Sequence, residues 1–528
     1  MFIEPGTNIK LLKNCPLDNT YEHTLYFANA SAQATYFSGL AKYNLTNYTY
    51  QRVNKGVARV GIKADSLYDC NYMMFQNTNF GSKWFYAFIK SVEYVNNDTS
   101  EITFEIDVMQ TWFFNYTVDT CFVEREHVVT DGYTNIQPEP IALGEPVLND
   151  VPATGDVNYS GYKPVVDLSK LCVIFNTIDT TNLGQGRFYD GVYGAGNLTA
   201  FNTDDLESIN NFLNEYAQKT DNIIAVYMCP KDIIQGSISS GGLVLTNKQI
   251  SKHVDVNLPL LSSVESLDGY RPKNKKLFTY PYNYVTVTNA CGNSLTLRYE
   301  YFSDYRPKLR VNGCVSQPVQ IILRPRGYKN CDECYSESIS LSSFPLCSWA
   351  IDGYQAFIAQ TAIPSAISLL GNITGAGVVT GLTGGAGAAV AMGSTAANAI
   401  GNIGNVLAQG YKAAVGNDVA KGDFNSGNAN TSMHTNMFYW GRCSVSANYA
   451  VVIDNFFSKF GYATNRLKKP NRSSRPHWNY VKTRACTLTG SVPADDMRKL
   501  CQIYDSGVTF WKNGSEVGDY TLDNRPGA

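Results

Sequence analysis

Two carboxylates placed two residues apart, Glu105 and Asp107, are the first groups in the sequence that could do chemistry. On an extended strand such a pair shares one face about 6.6 Å apart along the chain, which is compatible with the carboxylate pair of a glycosidase. The same spacing belongs to two solvent-facing charges on any half-buried strand, and this plainer reading competes with the first. Cys331 and Cys334, preceded by Cys314 and followed by Cys347, could offer four thiolates to a structural zinc. They lack the second close pair that makes such a pattern specific, so paired or free thiols stand beside that reading. The histidines, His23, His127, His253, His434 and His477, lie far apart in sequence, and their spacing supports no metal site. There is no Gly-Lys-Ser/Thr phosphate loop, no His-Glu-x-x-His and no Gly-x-Ser-x-Gly. No motif sets a nucleophile beside a base, so the expectation is a protein that is not an enzyme, without cofactor or metal.

One further group of side chains could act by charge. Between Asp454 and Asp495 there are Lys459, Arg466, Lys468, Lys469, Arg472, Arg475, Lys482 and Arg484, and no acid. With Trp478 and Tyr480 interleaved, such a run could touch DNA phosphates. A docking surface for an acidic neighbour, or a solvated loop around Lys469-Pro470-Asn471, is the alternative. Arg466, Lys468, Lys469, Arg472 and Arg475 are the candidate contacts.

The elements that must position these groups are mainly β. The chain has 528 residues, room for two to four compact units, since single cores rarely grow past roughly 250 to 300 residues. Lys and Arg number 43 against 45 Asp and Glu, which excludes a bulk field for nucleic acid or anionic membrane. Charged residues are 17%, below the roughly 25% usual for soluble domains, while Tyr 35 and Phe 25 are high. Aromatic side chains suit a pleated surface, and few charges suit a subunit that hides surface in an assembly. Ile102, Phe104, Ile106 and Val108 alternate with Glu105 and Asp107 as in a half-buried strand, and Trp84–Ile89 and Tyr284–Thr288 carry similar signals. Residues 135–161 and 184–197, rich in Pro, Gly and Asn, read as connections. Asp204–Lys219, with Leu206, Ile209, Phe212, Leu213 and Tyr216 at helical spacing, predicts an amphipathic helix. The N-terminus carries no basic and apolar leader, and 13 scattered cysteines fit reduced thiols, so the sequence predicts synthesis in a cytosol.

One segment is unlike the rest. From Gly353 to Tyr411 there is no charged residue, and the stretch holds 12 Gly and 13 Ala. Gly371-Asn372-Ile373-Thr374-Gly375 and Gly377-Val378-Val379-Thr380-Gly381 have the small-x-x-x-small spacing that lets helices approach closely in lipid. At about 20 residues per span the length permits a helical hairpin across a bilayer. Its first half draws apolarity from Ile363, Leu369, Leu370, Val378, Val379 and Leu382, and its second from Val390, Met392, Ile400, Ile403, Val406 and Leu407. Gly371, Gly375 and the surrounding Ala, Ser, Thr and Asn dilute that apolarity, which suits conditional insertion better than a permanent anchor. A Gly/Ala-rich linker or buried filler is the competing reading, against which stands the missing charge.

Several strings resemble the tail knob proteins of Salas-type small podoviruses. They are Tyr72-Met73-Met74-Phe75-Gln76-Asn77, Gly81, Lys83-Trp84-Phe85-Tyr86-Ala87-Phe88, Phe104-Glu105-Ile106-Asp107-Val108, Gln110-Thr111-Trp112 and Arg125-Glu126-His127-Val128. Tyr280-Pro281-Tyr282, Gly292-Asn293, Glu300-Tyr301, Tyr462, Asn465-Arg466 and Lys468-Lys469-Pro470-Asn471 continue the series. The resemblance covers residues 1–130, 275–325 and 350–528, while 135–275 departs from the pattern and looks shorter. It implies a virion protein, made in the host cytoplasm, that forms a homohexameric ring at the distal end of a short tail. It further implies β-rich tube domains at 1–134, 276–350 and 426–528, an inserted middle region at 135–275, and an apolar loop at 351–425. In the family that loop plugs the tube and, on ejection, is thought to line a pore through the host cell membrane. The implied partners are the adjacent lower collar or tail connector protein, the double-stranded genomic DNA in the lumen and that membrane. A tail-associated cell-wall hydrolase is the alternative function.

Overall fold

The computed structural model describes residues 6–48, 56–78, 81–149, 161–166, 168, 170–177, 187–189, 192–194, 197–215, 223–245, 252–289, 292–315, 319–341, 344, 346–349, 422–425 and 438–526. The chain forms two compact units. The first takes residues 1–145, 269–282 and 446–528, and the second takes 146–268 and 283–445.

The N-terminal leg of the first unit runs β1 (Thr7–Lys13), β2 (His23–Leu25), α1 (Ala30–Gly39), β3 (Ala41–Tyr48), β4 (Val57–Val60), β5 (Cys70–Asn77), β6 (Phe85–Asn96), β7 (Thr99–Ile106), α2 (Val108–Trp112), β8 (Tyr116–Val118) and β9 (Cys121–Glu126). Six of these strands make one sheet in the order β3-β1-β5-β6-β7-β4. Tyr72-Met73-Met74-Phe75 on β5 holds no charged residue, and both faces of this sheet are covered. Met73, Phe75, Ile9, Leu11, Ile102 and Phe104 join one apolar cluster, while Tyr72, Met74, Leu12, Tyr86 and Phe88 join another. Strands β3 and β4 are chain neighbours at opposite edges of the sheet. They meet where Gly61 N donates to Tyr48 Oη at 3.3 Å, so the sheet is rolled towards closure, with the first cluster inside it. The chain enters β4 at Gly56, whose φ of +80° and 2.4 Å clearance from Phe104 O for any added Cβ demand glycine.

The second unit contains β10 (Val147–Asn149), β11 (Lys163–Val166), β12 (Leu171–Thr177), β13 (Arg187–Tyr189), β14 (Val192–Gly194), β15 (Asn197–Asn202), α3 (Leu206–Glu215), β16 (Ile223–Pro230), β17 (Leu243–Val244) and β18 (Val254–Asn257). It continues with β19 (Asn283–Thr288), β20 (Ser294–Leu297), β21 (Lys308–Cys314), β22 (Gln320–Tyr328), β23 (Cys331–Glu333), β24 (Ile339–Leu341), β25 (Leu346–Trp349), β26 (Gly422–Asn425) and β27 (Phe438–Ser444). The main sheets have the orders β17-β15-β12-β16-β25-β26, β10-β27-β19-β20 and β18-β21-β22-β23. Val173, Phe175, Phe201, Ile209, Leu213 and Ile223 pack α3 onto the first of them. The predicted helix is present but begins at Leu206, because the Asp205 carboxylate accepts from Ser208 N and caps it; Tyr216 to Lys219 lie outside the described residues. Two segments read as connections contain strands: β10 lies within 135–161, and the β13–β14 hairpin lies within 184–197. These strands have three residues each, too few for an alternation to register.

The C-terminal leg returns to the first unit as α4 (Ala447–Phe460), β28 (Tyr462–Lys468), β29 (Trp478–Arg484), β30 (Leu488–Gly490), α5 (Ala494–Ser506) and β31 (Val508–Trp511). Its strands complete a sheet begun 300 residues or more earlier in the chain, in the order β2-β31-β29-β9-β28. The buried indoles of Trp478 and Trp511, with centroids 5.0 Å apart, sit at the centre of the core beneath it. The fold is mainly β, as composition predicts.

Candidate membrane-active and docking surfaces

The charge-free segment, with all fourteen of its singled-out residues from Ile363 to Leu407, lies outside the described residues. The structure does describe where the chain leaves for it and where it comes back. β25 and β26 pair antiparallel, with Leu346 opposite Asn425, Cys347 opposite Phe424, Ser348 opposite Asp423 and Trp349 opposite Gly422. Paired residues in such a ladder have Cα atoms about 5 Å apart, so Trp349 and Gly422, the described residues on either side of 350–421, are neighbours at one sheet edge. The resemblance implies a loop that includes 422–425, but these residues form strand β26; a four-residue Gly-Asp-Phe-Asn strand carries no alternation to reveal it. No described helix is long and apolar enough to cross a membrane.

The basic run is not one surface. Arg475 is 3% exposed, and its guanidinium donates to the Val128 and Asn524 carbonyls at 3.1 and 3.2 Å. Arg472 lies over the rings of Phe113 and Tyr116 and donates to Tyr504 Oη at 3.4 Å. Lys468 pairs with the buried Glu126 carboxylate, which also accepts from Asn471 N at 2.9 Å. Lys482 pairs with Glu124 at 2.9 Å. Arg466, Lys469 and Arg484 point their charge outward. The turn Lys468–Asn471 is therefore held from within by Glu126 while Arg466 and Lys469 face solvent. Composition could not separate these roles, because the acids that engage the run come from β9, some 340 residues away in the chain.

Glu105 and Asp107 do not share a site. Strand β7 ends at Ile106, and Asp107 turns inward to cap α2, accepting from Gln110 N at 3.0 Å and from Tyr72 Oη at 2.8 Å. Glu105 stays at the surface between Lys499 and Lys90, at 2.5 and 2.8 Å. Hydrogen bonds from these two ammonium groups hold its carboxyl below the usual range. Burial pushes Asp107 the other way, up to about 6. Two like residues at one spacing thus have opposite environments, because the strand stops between them.

Asp107 takes up its proton in the folded chain before the unfolded chain does, so its contribution to stability is full below pH 3.8 and is lost as pH rises through about 6. Asp107→Asn keeps the helix cap and removes the titration. In urea denaturation at both pH values, the stability of the variant relative to wild type should rise by up to about 3 kcal/mol between pH 4 and pH 7. A difference independent of pH would show that the carboxyl ionises normally.

The histidines are dispersed in space as well as in sequence. His127 is buried, with Nδ1 accepting from Tyr480 N at 2.8 Å and Nε2 donating to Ser458 O at 3.0 Å. Burial lowers it to about 3, so it is neutral and structural. His23 accepts from Trp511 Nε1 at 3.3 Å, His477 faces Glu516, and His253 is exposed; His434 lies outside the described residues. The four-thiolate reading also falls. Cys314 is opposite Gln320 and Cys331 is opposite Tyr328 on the same strand β22, about 26 Å apart at the rise of a β-strand.

Comparison with known proteins gives this geometry its family. The profile of the C-terminal domain of the Bacillus phage phi29 tail knob protein gp9 matches residues 248–525. That of the caudoviral major tail protein N-terminus matches residues 5–117, the stretch holding the rolled sheet. The chain is 27% identical over 606 residues to the tail knob protein gp9 of Bacillus phage PZA, covering 98% of each. It is 26% identical over 596 residues to that of Bacillus phage phi29, again covering 98% of each. The solved structure of the bacteriophage C1 tail knob protein, gp12, is similar in fold, with a TM-score of 0.65 at 16% identity over 98% of this chain and 99% of that one. Because the phi29 profile spans more than half of the sequence, the chain belongs to the family of the phage tail knob protein gp9.

Proposed function

We propose that this chain is a structural virion protein that forms the distal tail tube, or knob, of a short-tailed phage as a homohexameric ring. Its apolar segments plug the channel before ejection and then enter the host cell membrane to form a path for the genome. The observation that carries this reading is an uncharged Gly/Ala-rich stretch flanked by two ladder partners, Trp349 and Gly422, at one sheet edge. Such an insert can leave that sheet without disturbing it. Small side chains let six copies pack closely inside a tube, and the same residues pack as helices in lipid. In this reading 1–134, 276–350 and 426–528 build the wall, 135–275 the distal region, and 351–421 the plug, with β26 (422–425) returned to the sheet.

Assembly is supported by apolar side chains left at the surface of the first unit. Val452 and Tyr449 on α4 are 66% and 44% exposed, and Leu467 on β28 is 74% exposed, a distribution that suits contact with neighbouring subunits. Arg466 and Lys469 are the proposed contacts to the lower collar or to DNA, with Lys468, Arg472 and Arg475 holding the shape of that turn. Native mass measurement should give six copies, and micrographs should show a six-fold ring with a central channel. A stable monomer at micromolar concentration would exclude the ring.

A further inference from the structure

Cys121, Cys486 and Cys501 come together in the first unit from three different elements. Arg484 at the end of β29 is opposite Phe122 on β9, and Leu488 at the start of β30 is opposite Val118 on β8. The turn Ala485–Thr487 must therefore fold over Asp119–Cys121, which it does with Ala485 at φ +55° and with Asp119 N donating to Thr487 O at 3.0 Å. The other side of the turn is tied to α5, where the Asp505 carboxylate accepts from Cys486 N at 3.0 Å and from Thr483 Oγ1 at 2.8 Å. Cys501 is one helical turn before Asp505 and so shares its face. The Cys486 sulfur interacts with the thiols of both Cys121 and Cys501.

Access separates this cluster from the other cysteines. Cys486 and Cys501 are partly exposed, whereas Cys121 is buried. Cys172 and Cys229 also face each other, across β12 and β16, but both are completely buried. Cys331 is exposed on β23. A reagent in solution therefore reaches two adjacent thiols at one place among the described cysteines.

We propose that Cys486 and Cys501 are a site of reversible thiol–disulfide oxidation, with Cys121 as a third thiol in reach for exchange. The oxidant is a small-molecule disulfide such as oxidised glutathione. The Cys486 thiolate attacks one sulfur of the reagent and releases one glutathione thiolate, leaving a mixed disulfide. The Cys501 thiolate then attacks the Cys486 sulfur and releases the second glutathione. Two protein thiols lose two electrons, the reagent gains them, and the two thiol protons pass to the released thiolates. Burial and the Asp505 carboxylate keep these thiols protonated at neutral pH, so the reaction is slow and the reduced form survives a reducing cytosol. The product ties α5 to the β29–β30 turn and restricts the unfolded chain.

The test uses the full-length protein incubated with oxidised glutathione, alkylated after denaturation and mapped by mass spectrometry. We expect a linked peptide pair containing Cys486 and Cys501, glutathione on Cys331 as the sign that the reagent acted, and full alkylation of Cys172 and Cys229. The oxidised protein should melt several degrees higher, and a phosphine reductant should reverse the shift. Cys486→Ser, which removes the thiol common to both pairs, should abolish that rise. Full alkylation of Cys486 and Cys501 in a sample where Cys331 is modified would overturn the proposal, as would a rise in Tm that persists in Cys486→Ser.

Discussion

Replacing residues 350–421 by Asn-Gly should give a protein that assembles like the wild type and no longer releases dye from liposomes. Trp349 and Gly422 are the last ladder partners before the excised stretch, so a two-residue turn of the type favoured in hairpins closes the strands in their own register. Shortening the connection from the length of that segment to two residues also lowers the entropy cost of pairing β25 with β26 by a few kcal/mol on the logarithmic loop-closure relation. That sheet should therefore be at least as stable in the deletion. The intact protein, warmed or mildly acidified to expose the segment, should leak dye, and the deletion should reduce leakage by tenfold or more. Equal leakage from both proteins would mean that another part of the chain acts on the membrane.

Single charges in the same segment should separate membrane entry from assembly. Val379 and Ala391 stand in the two halves of the uncharged stretch. One Asp or Lys near the centre of a spanning helix costs about 2.5 to 3.5 kcal/mol on insertion scales, and a factor of ten in equilibrium is about 1.4 kcal/mol. Each copy's insertion then falls by roughly a hundredfold, and in the proposed six-membered ring every subunit carries the same lesion. Val379→Asp and Ala391→Lys should therefore form rings normally while losing most leakage and infectivity. If the segment plugs the tube as proposed, a charge also packs poorly there, so early loss of genome from virions is the accompanying expectation. If leakage, genome retention and infectivity all stay at wild-type levels in both variants, the segment is a spacer.

The alternation in Ile102–Val108 indicates a half-buried strand, and β7 occupies Thr99–Ile106, with Ile102 and Phe104 buried. Alternation reports which face a side chain takes for as long as the strand lasts. It does not report where the strand ends, and Asp107 changes from a surface charge to a buried helix cap because β7 stops one residue earlier.

Composition by itself determined the mainly β character and the existence of one uncharged segment, because both depend on which side chains tolerate a given solvent. Tertiary structure alone decided the pairings over long sequence separations. It set Glu126 against Lys468, closed the rolled sheet at Tyr48 and Gly61, and joined the ends of the apolar insert through β25 and β26. The reason is physical: a residue's own burial preference is local and readable, whereas the identity of its partner depends on how the whole chain returns to the same place.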